Sequence, residues 1–424
     1  MTLVGEGTFG LTRRPGEAGQ LRTPTPQSPV GFRFEACFLD HHGLRARGGC
    51  HTRGGTGPTG AGSAHPDARR IPTLDTRRGA NLVVTDPGLL HWRDPVTDIG
   101  HLADVTNRVR TSVETVIDGK SEAITTALVV LLSEGHLLIE DVPGVGKTML
   151  AKALARSIDA RVRRIQFTPD LLPGDVTGVS IYNQGTRDFE FRPGPVFANI
   201  VVGDEINRAE PKAQSALLEC MEEHQVTVDG VTYRLESPFM VIATQNPVEM
   251  EGTRALPEAQ RDRFTARISM GYPSPAAELE MLDSHGNANP LAGITPVTDA
   301  AEIAKLIALV RTVHVSPEVR HYIVDLVGGT RTHPEIALGA SPRAALHLIR
   351  AARARAALDQ RGFVLPDDVQ EMAVPVMAHR LLLHPEIMLS GEPTIEVAAR
   401  ILTDVLRRIP ILRPGTARPT RHGR

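Results

Sequence analysis

The 424-residue chain is poor in cysteine, in aromatic residues and in lysine. Its three cysteines form no C-x-x-C pair, which argues against a disulfide scaffold or a zinc ribbon. The formal net charge is only −2, and basic motifs interleaved with aromatic residues are lacking, so a nucleic-acid partner is not expected. No apolar run approaches the length of a membrane span, and Arg13-Arg14 lacks the apolar region of an export signal. We therefore expect a cytoplasmic protein without a membrane span.

The strongest chemical signal is an eight-residue segment, 141–148, which contains two glycines and a lysine. It follows an apolar run and precedes an apolar periodic stretch from Met149, so it predicts a strand, a tight loop and a helix. In that setting successive backbone N–H groups surround a polyphosphate, Lys147 reaches its β and γ oxygens, and the Thr148 hydroxyl binds Mg²⁺. The chain has five lysines against 42 arginines, so a lysine at this position favours the prediction. Asp141 stands where such a loop usually has its first glycine.

Two further predicted strands end in polar residues that a nucleotide site needs. Asp204 and Glu205 follow one of them; Asp204 would hold Mg²⁺ through its water shell, and Glu205 would orient or deprotonate the attacking water. Asn246 follows the other and would hydrogen-bond the γ-phosphate or that water. The simpler alternatives are that the paired acids open a helix and that Asn246 forms a turn. With ATP and Mg²⁺ as the expected bound groups, the predicted binding residues are Pro143, Gly144, Val145, Gly146, Lys147, Thr148, Met149 and Asp204, of which Thr148 and Asp204 serve the metal.

Two arginines complete the predicted catalytic set. Arg263 closes a helix before the last strand, where it can point into the nucleotide site of a neighbouring subunit and stabilise transition-state charge in trans. A surface ion pair with Asp262 or Glu258 is the alternative for Arg263. Arg343 follows a Ser-Pro pair that opens a helix of the second domain, and it would reach the γ-phosphate from that side, so that closure would depend on nucleotide. The alternative is an ordinary arginine in the first turn of a helix.

Composition divides the chain into four parts. Residues 1–96 are low in complexity and show no sustained period, so they are predicted to be a disordered extension; the alternative is that the natural protein starts downstream of it. Residues 97–271 alternate short apolar runs with helices, which predicts a parallel sheet covered on both faces. A proline-stiffened break opens a helical domain, 272–406, which is followed by a basic tail, 407–424.

The pattern also predicts the individual elements. Two hairpins interrupt the alternation of strands and helices, and the Asp229-Gly230 pair suits a two-residue turn in the second; surface hairpins without a role are the alternative. The predicted strands are 136–140, 162–167, 198–202, 239–243 and 266–270, the hairpins are 179–191 and 226–235, and the helices of the second domain are 276–285, 300–312, 317–328, 341–357 and 366–377.

Taken together and in this order, the motifs resemble an AAA+ ATPase, and more narrowly the MoxR family. The resemblance covers about residues 98–405 and depends on the segments 140–148, 166–175, 203–209, 243–247, 256–264 and 341–343. It implies a P-loop αβα sandwich with a five-stranded parallel sheet and an all-α lid. In that light Lys147 and Thr148 are similar to Walker A residues, Asp204 and Glu205 to Walker B, Asn246 to sensor 1, Arg263 to the arginine finger and Arg343 to sensor 2.

The resemblance also implies a function. Members of this family are Mg²⁺-dependent ATPases that form rings, which we expect to be hexameric here, and they act as chaperone-like machines that mature or remodel other proteins. Many have a von Willebrand factor A domain protein as partner. A nucleic-acid motor and a chelatase-type motor subunit are the alternatives within this architecture, and a nucleotide-binding scaffold without turnover is the alternative outside it. A P-loop GTPase is not favoured because no N-K-x-D motif is present.

Overall fold

The computed structural model describes residues 82–84, 90–92, 95–142, 144–246, 256–275, 278–279, 290–388 and 392–411. Within the predicted N-terminal extension, strands β1 (Leu82–Val84) and β2 (Leu90–Trp92) form an antiparallel ribbon, and helix α1 begins at Pro95. The rest of that extension and most of the predicted basic tail lie outside the described residues, so both stay predictions. Strands and helices are numbered in chain order.

A five-stranded parallel sheet forms the centre of the fold, as the sequence predicts. In spatial order its strands are β11 (Ala266–Ile268), β3 (Leu137–Glu140), β10 (Met240–Gln245), β7 (Ile200–Asp204) and β4 (Val162–Gln166). Apolar side chains alternate across it: Leu137 and Ile139 belong to the cluster on one face, and Leu138 belongs to the cluster on the other. Both faces of the inner strands are therefore buried, which explains their nearly continuous apolar runs, whereas most side chains of β4 at the side of the sheet are exposed.

Helices cover both faces of this sheet. Apolar residues of the first three helices join Leu137 and Ile139 in one buried cluster, whereas those of α5 join Leu138 in the other. The fold is thus an αβα sandwich, which confirms the predicted class. The helices of this part are α1 (Pro95–Glu114), α2 (Ser121–Leu132), α3 (Lys147–Ser157), α4 (Pro173–Thr177), α5 (Pro211–Glu223) and α6 (Glu258–Arg261).

The two predicted hairpins are present. The first pairs β5 (Gly178–Asn183) with β6 (Asp188–Pro193), and the second pairs β8 (Gln225–Val228) with β9 (Val231–Arg234). Asp229 and Gly230 both have positive φ angles, 51° and 79°, which is the geometry of a type I′ two-residue turn. An aromatic contact links the hairpins, since the rings of Phe191 and Tyr233 stack with their centroids 4.2 Å apart.

The C-terminal part is a helical lid, as predicted. Serine caps begin two of its helices, because the Oγ atoms of Ser316 and Ser341 accept the N–H groups of Val319 and Ala344. The lid also contains one short antiparallel strand pair that the sequence does not predict. Its elements are α7 (Ala300–Val310), α8 (Pro317–Arg331), β12 (Ile336–Leu338), α9 (Pro342–Leu358), α10 (Pro366–Met377), β13 (Leu382–Leu383), α11 (Pro385–Met388) and α12 (Thr394–Arg408).

Three of the five predicted lid helices, 300–312, 341–357 and 366–377, coincide closely with α7, α9 and α10. The predicted helix 317–328 corresponds to α8, which is longer at its C-terminal end. The first, 276–285, falls almost entirely outside the described residues. Lid and sheet domain share one buried apolar cluster, to which Leu348 of α9 and Leu128 of α2 both belong. None of the helices in the described part of the chain combines the length and the apolarity that a bilayer span requires.

Candidate functional site

The segment 141–148, called the glycine loop below, joins β3 to the first turn of α3, as predicted. Gly144 and Gly146 have φ angles of 87° and 90°, a left-handed region that glycine adopts without strain. Gly146 is the last residue before α3, so the first N–H groups of that helix face the loop. The side chains of Val145 and Met149 pack against the apolar core. Pro143 lies outside the described residues.

Lys147 is held at the centre of the loop. Its Nζ atom donates to the backbone carbonyl of Asp141 and, at 3.1 Å, to that of Gln245 at the end of β10. Burial lowers the pKa of this ammonium, while the nearby carboxylates of Asp141, Asp204 and Glu140 raise it. A positive charge is thus placed between the ends of two neighbouring strands, where phosphate oxygens can replace the carbonyl partners.

The structure explains why an aspartate, Asp141, stands where such a loop usually has its first glycine. Its Oδ2 atom accepts the N–H groups of Met270 and Gly271, both at 2.6 Å, and the hydroxyl of Ser269 at 3.0 Å. Its Oδ1 atom accepts the N–H of Val142 at 2.8 Å. Burial raises the pKa of this carboxyl, but the four hydrogen bonds together lower it below the ordinary value. Asp141 therefore fixes the loop to the chain that leads into the lid.

The first acid of the predicted pair lies beside the loop. Asp204 is buried at the end of β7, and the Thr148 hydroxyl lies 3.2 and 3.3 Å from its two carboxylate oxygens. Thr244 donates to Oδ1 at 3.1 Å, and Arg164 donates its Nε–H to Oδ2 at 2.5 Å. A hydroxyl and a carboxylate in contact form the oxygen donor set that Mg²⁺ prefers, so these residues fit the predicted metal.

The second acid projects beyond the strand. Glu205 has φ 56° and ψ 47°, a left-handed conformation that is uncommon for a residue with a side chain and is often found at functional sites. Its N–H donates to the Thr244 hydroxyl at 3.0 Å. Its Oε2 atom accepts Gln166 at 3.1 Å and Arg208 at 2.7 Å. The carboxylate is thus oriented from two sides while 41% of the side chain stays exposed.

Asn246 follows directly on β10, the strand between those that carry the loop and the acids. The carboxyl ends of neighbouring parallel strands meet at one edge of a sheet, so Asn246 lies between the loop and Glu205. Its backbone carbonyl accepts the Asn207 amide at 3.5 Å. This edge therefore brings together the glycine loop, Asp204, Glu205 and Asn246, as the sequence predicts.

Arg263 lies at the opposite edge of the sheet. It precedes β11 by three residues, and the N–H of nearby Thr265 donates to the carbonyl of His136, the residue before β3. The glycine loop follows the other end of β3, which at about 3.3 Å per residue lies roughly 13 Å away. The partner of Arg263 is neither Asp262 nor Glu258, as considered above, but Glu222 at 2.7 Å. An arginine at this edge cannot serve the loop of its own chain.

Arg343 lies beside Arg263. Its guanidinium binds the other oxygen of the same Glu222 carboxylate and lies 3.8 Å from Asp262. In this arrangement of the lid Arg343 therefore lies away from the glycine loop of its own chain, and its predicted contact with a γ-phosphate stays a prediction. The cap at Ser341 is as predicted, but the Ser341 hydroxyl also donates to Asp262 at 3.0 Å, which anchors this end of α9 at the far edge of the sheet.

Several residues of the site escape sequence reasoning. Glu222 gives no local signal, because it is one of several acids at the end of α5 and its arginine partners lie far along the chain. Arg164 and Gln166 reach the acids only through the pairing of β4 with β7, in which Gln166 lies opposite Asp204. Had the strand order been known, the register of β4 against β7 would have indicated Arg164 and Gln166.

The chain is similar to known proteins over most of its described length. Residues 136–266 match the family described as "ATPase family associated with various cellular activities (AAA)", and residues 328–401 match the AAA lid domain. The chain is 50% identical to the uncharacterized protein YeaC of Bacillus subtilis over 298 residues, which covers 70% of this chain and 92% of that protein.

Two further similar proteins agree with the match to the AAA family. The chain is 44% identical to the chaperone MoxR1 of Mycobacterium tuberculosis over 280 residues, which covers 64% of this chain and 74% of MoxR1. A crystal structure of a proposed ATPase from Cytophaga hutchinsonii superposes with a TM-score of 0.69 at 39% identity, and covers 75% of this chain and 98% of the other.

Proposed function

Because the chain belongs to the MoxR family of AAA+ ATPases, we propose that it hydrolyses ATP in a Mg²⁺-dependent reaction and uses the energy to mature or remodel partner proteins. The observation that carries this proposal is the convergence of Lys147, Thr148, Asp204 and Glu205 at one edge of the sheet. A cation, a hydroxyl–carboxylate pair and a second, oriented carboxylate are the groups that phosphoryl transfer to water requires.

The substrate is bound by backbone and side chain together. The N–H groups of residues 144–149 and the positive end of α3 bind the phosphate oxygens, and Lys147 neutralises charge on the β- and γ-phosphates. Thr148 and Asp204 hold Mg²⁺, which when bound supplies further neutralisation of the phosphate charge. Asp141 keeps the loop in register with the lid connection, so that nucleotide and lid act on one another.

Glu205 is proposed as the residue that orients the attacking water and accepts its proton. Gln166 and Arg208 hold its Oε2 atom, which leaves Oε1 to receive a hydrogen bond from water. Asn246, between Glu205 and the loop, is proposed to bind the γ-phosphate or the same water. Loss of the γ-phosphate would then be sensed at the end of β10.

Arg263 and Arg343 are proposed to act together on the nucleotide of a neighbouring subunit. Three features support this: both lie at the edge of the sheet opposite the loop, both bind Glu222, and their side chains are 30% and 37% exposed. A heterologous contact of this kind, with the loop of one subunit against the arginines of the next, generates a ring when the rotation between subunits closes. We propose a hexamer, in which hydrolysis depends on assembly.

The partner is proposed to be a protein. The relative named a chaperone supports this role, and we propose a von Willebrand factor A domain protein as cofactor of the ring and the cytoplasm as its location. The chelatase and nucleic-acid motor alternatives share the same hydrolytic edge and differ in what they bind. Capture of partners on the Glu205→Gln form, loaded with ATP, separates them: a folded protein client supports the proposal, and a nucleic acid or a macrocycle-binding subunit overturns its chaperone part.

The hydrolytic part is tested with the purified full chain. Phosphate release is measured with ATP and Mg²⁺, with ATP and a chelator, and at protein concentrations above and below ring formation, which sedimentation defines. The proposal requires activity that needs the metal and rises with assembly. Activity that is unchanged by the chelator, or that is equal in monomer and ring, contradicts it.

A further inference from the structure

A basic cleft lies beside the central sheet, away from the glycine loop. Its volume is about 710 Å³, and it runs along β4, the segment that joins β6 to β7, and the end of the second hairpin. Four arginines and a single acid supply its charged lining, although the whole chain has a net charge of only −2. These residues are Arg161, Arg163, Arg164, Arg234 and Glu236.

The charge of the cleft is not neutralised within the described part of the chain. Arg161 pairs with Glu236, and Arg164 pairs with Asp204. Arg163 and Arg234 are both exposed, and neither has an acidic partner among the residues that the structure describes. Two guanidinium groups are therefore available to anions from outside, each with a planar set of donors that suits a carboxylate.

The backbone beside the arginines is also available. Strand β4 is the last strand of the sheet. The carbonyl of Arg161 accepts the N–H of Ile200, and the N–H of Phe167 donates to the carbonyl of Asp204, so the odd-numbered residues bond to β7. Because hydrogen bonds alternate along a parallel strand, the N–H and C=O groups of Arg164 face away from β7. Within the described ranges no strand pairs with that side.

The cleft wall favours a peptide over a nucleic acid. Proteins that bind single-stranded nucleic acid offer aromatic faces on which bases stack. The aromatic residue in this lining, Phe197, packs edge-on against Phe191 and Tyr233, at centroid distances of 5.5 and 6.4 Å. Phe191 and Tyr233 in turn stack on each other. The remaining wall is formed by Pro193, Pro195 and other small or apolar residues, which suits peptide side chains.

We propose that this cleft binds an extended acidic segment of a partner polypeptide. The segment adds as a strand along the side of β4 that faces away from β7, and it places its carboxylates against Arg163 and Arg234. Strand addition supplies backbone hydrogen bonds, and the two arginines select for acidic residues. Arg164 lines the cleft and also bonds Asp204, so the bound segment lies one side chain away from the nucleotide edge. The inference does not depend on ATP hydrolysis.

The test measures binding directly. A fluorescein-labelled octapeptide of alternating glutamate and valine is titrated with the full chain, and anisotropy is recorded. We expect saturable binding that weakens at least about tenfold when Arg163→Glu and Arg234→Glu are combined, because attraction at both positions becomes repulsion. The matched control is Arg320→Glu, which makes the same charge change at an exposed position of α8 and should bind like the parent. Thermal unfolding of each variant verifies the fold.

Control peptides and a competing oligonucleotide show which kind of ligand binds in the cleft and whether it binds through its backbone. A peptide with glutamine for glutamate, and one N-methylated at alternate amides, should both lose binding. The proposal is overturned if the double variant binds as tightly as the parent, if the N-methylated peptide binds equally well, or if a single-stranded oligonucleotide competes with higher affinity and responds to the same substitutions. It is also overturned if the double variant changes ring assembly in sedimentation, because the cleft would then be a contact between subunits.

Discussion

The Oδ2 atom of Asp141 accepts the backbone N–H of Met270 at 2.6 Å. The two residues lie 129 positions apart, and the bond joins the glycine loop to the last turn before the lid. Asp141 is the residue that departs from the usual glycine pattern of a phosphate loop. The aspartate at this position therefore makes a contact that connects the nucleotide site with the lid, and it is not an irregularity of the loop.

Replacing Asp141 by glycine restores the usual loop pattern but removes this connection. We expect the free energy of unfolding to fall by about 1–3 kcal/mol, because buried N–H groups lose their acceptor. Asp141→Asn, which keeps an acceptor, should lose less. Denaturant unfolding of the two variants and the parent measures this, and equal stability of Asp141→Gly and the parent would show that the contact contributes nothing.

The same carboxyl predicts a pH dependence. Its folded-state pKa lies below its ordinary value, so its contribution to stability is complete above the unfolded pKa and is lost as pH falls through the folded pKa. The parent should therefore lose more stability than Asp141→Asn between neutral pH and about pH 3. Parallel acid unfolding curves for the two proteins would contradict this assignment.

Lys147→Ala should lose ATP binding. A charge-assisted hydrogen bond contributes about 1.5–3 kcal/mol, so the affinity should fall roughly ten- to hundredfold. Lys152→Ala is the control, since Lys152 lies on the same helix and makes no described contact with the loop. Calorimetric titration with ATP distinguishes them, and an unchanged affinity of Lys147→Ala would refute the assignment of the loop.

Glu205→Gln should bind ATP like the parent and hydrolyse it at least about a hundredfold more slowly, which is the usual contribution of a general base. Glu210→Gln, at an exposed position five residues later, is the matched control and should be as active as the parent. Single-turnover phosphate release gives the rate. Parental turnover in Glu205→Gln would remove this residue from the reaction.

Glu222→Ala should impair hydrolysis without changing ATP affinity, because Glu222 holds the two arginines that are proposed to serve a neighbour. We expect turnover to fall several-fold in the assembled ring, with Glu223→Ala as the control at the adjacent exposed position. If ATP affinity falls instead, Glu222 belongs to the site of its own subunit and the proposed geometry is wrong.

Local features of this chain were predictable from its sequence. Strands β3, β7 and β10 are short, mostly buried apolar runs, and the glycine loop, the acid pair and Asn246 lie at the ends of those three runs. Because the carboxyl ends of parallel strands share one edge, placing the residues on strands was enough to place them together. The Asp-Gly turn and the serine caps depend on neighbouring residues and were predictable for the same reason.

Long-range contacts were not predictable. The cap at Ser341 fixes where α9 begins, but only the packing of the lid decides that Arg343 lies beside Glu222 and not beside the loop. The donors to Asp141 lie on a different strand end, and the link from Arg164 to Asp204 depends on the pairing of β4 with β7. The β12–β13 pair depends on a pairing between distant residues, whereas helix α12 was not predicted although its apolar residues recur at helical spacing.

In the proposed ring, one subunit supplies the acids and its neighbour supplies the arginines. Glu205→Gln subunits, which keep Arg263, are mixed with Arg263→Ala subunits, which keep Glu205, and phosphate release is measured across mixing ratios. Neither variant alone should be active, and random mixing in equal amounts should restore about one quarter of the parental activity, because one interface in four then combines both intact residues. Activity that stays at the level of the separate variants at every ratio, although mixed rings are shown to form, would show that Glu205 and Arg263 do not act across one interface.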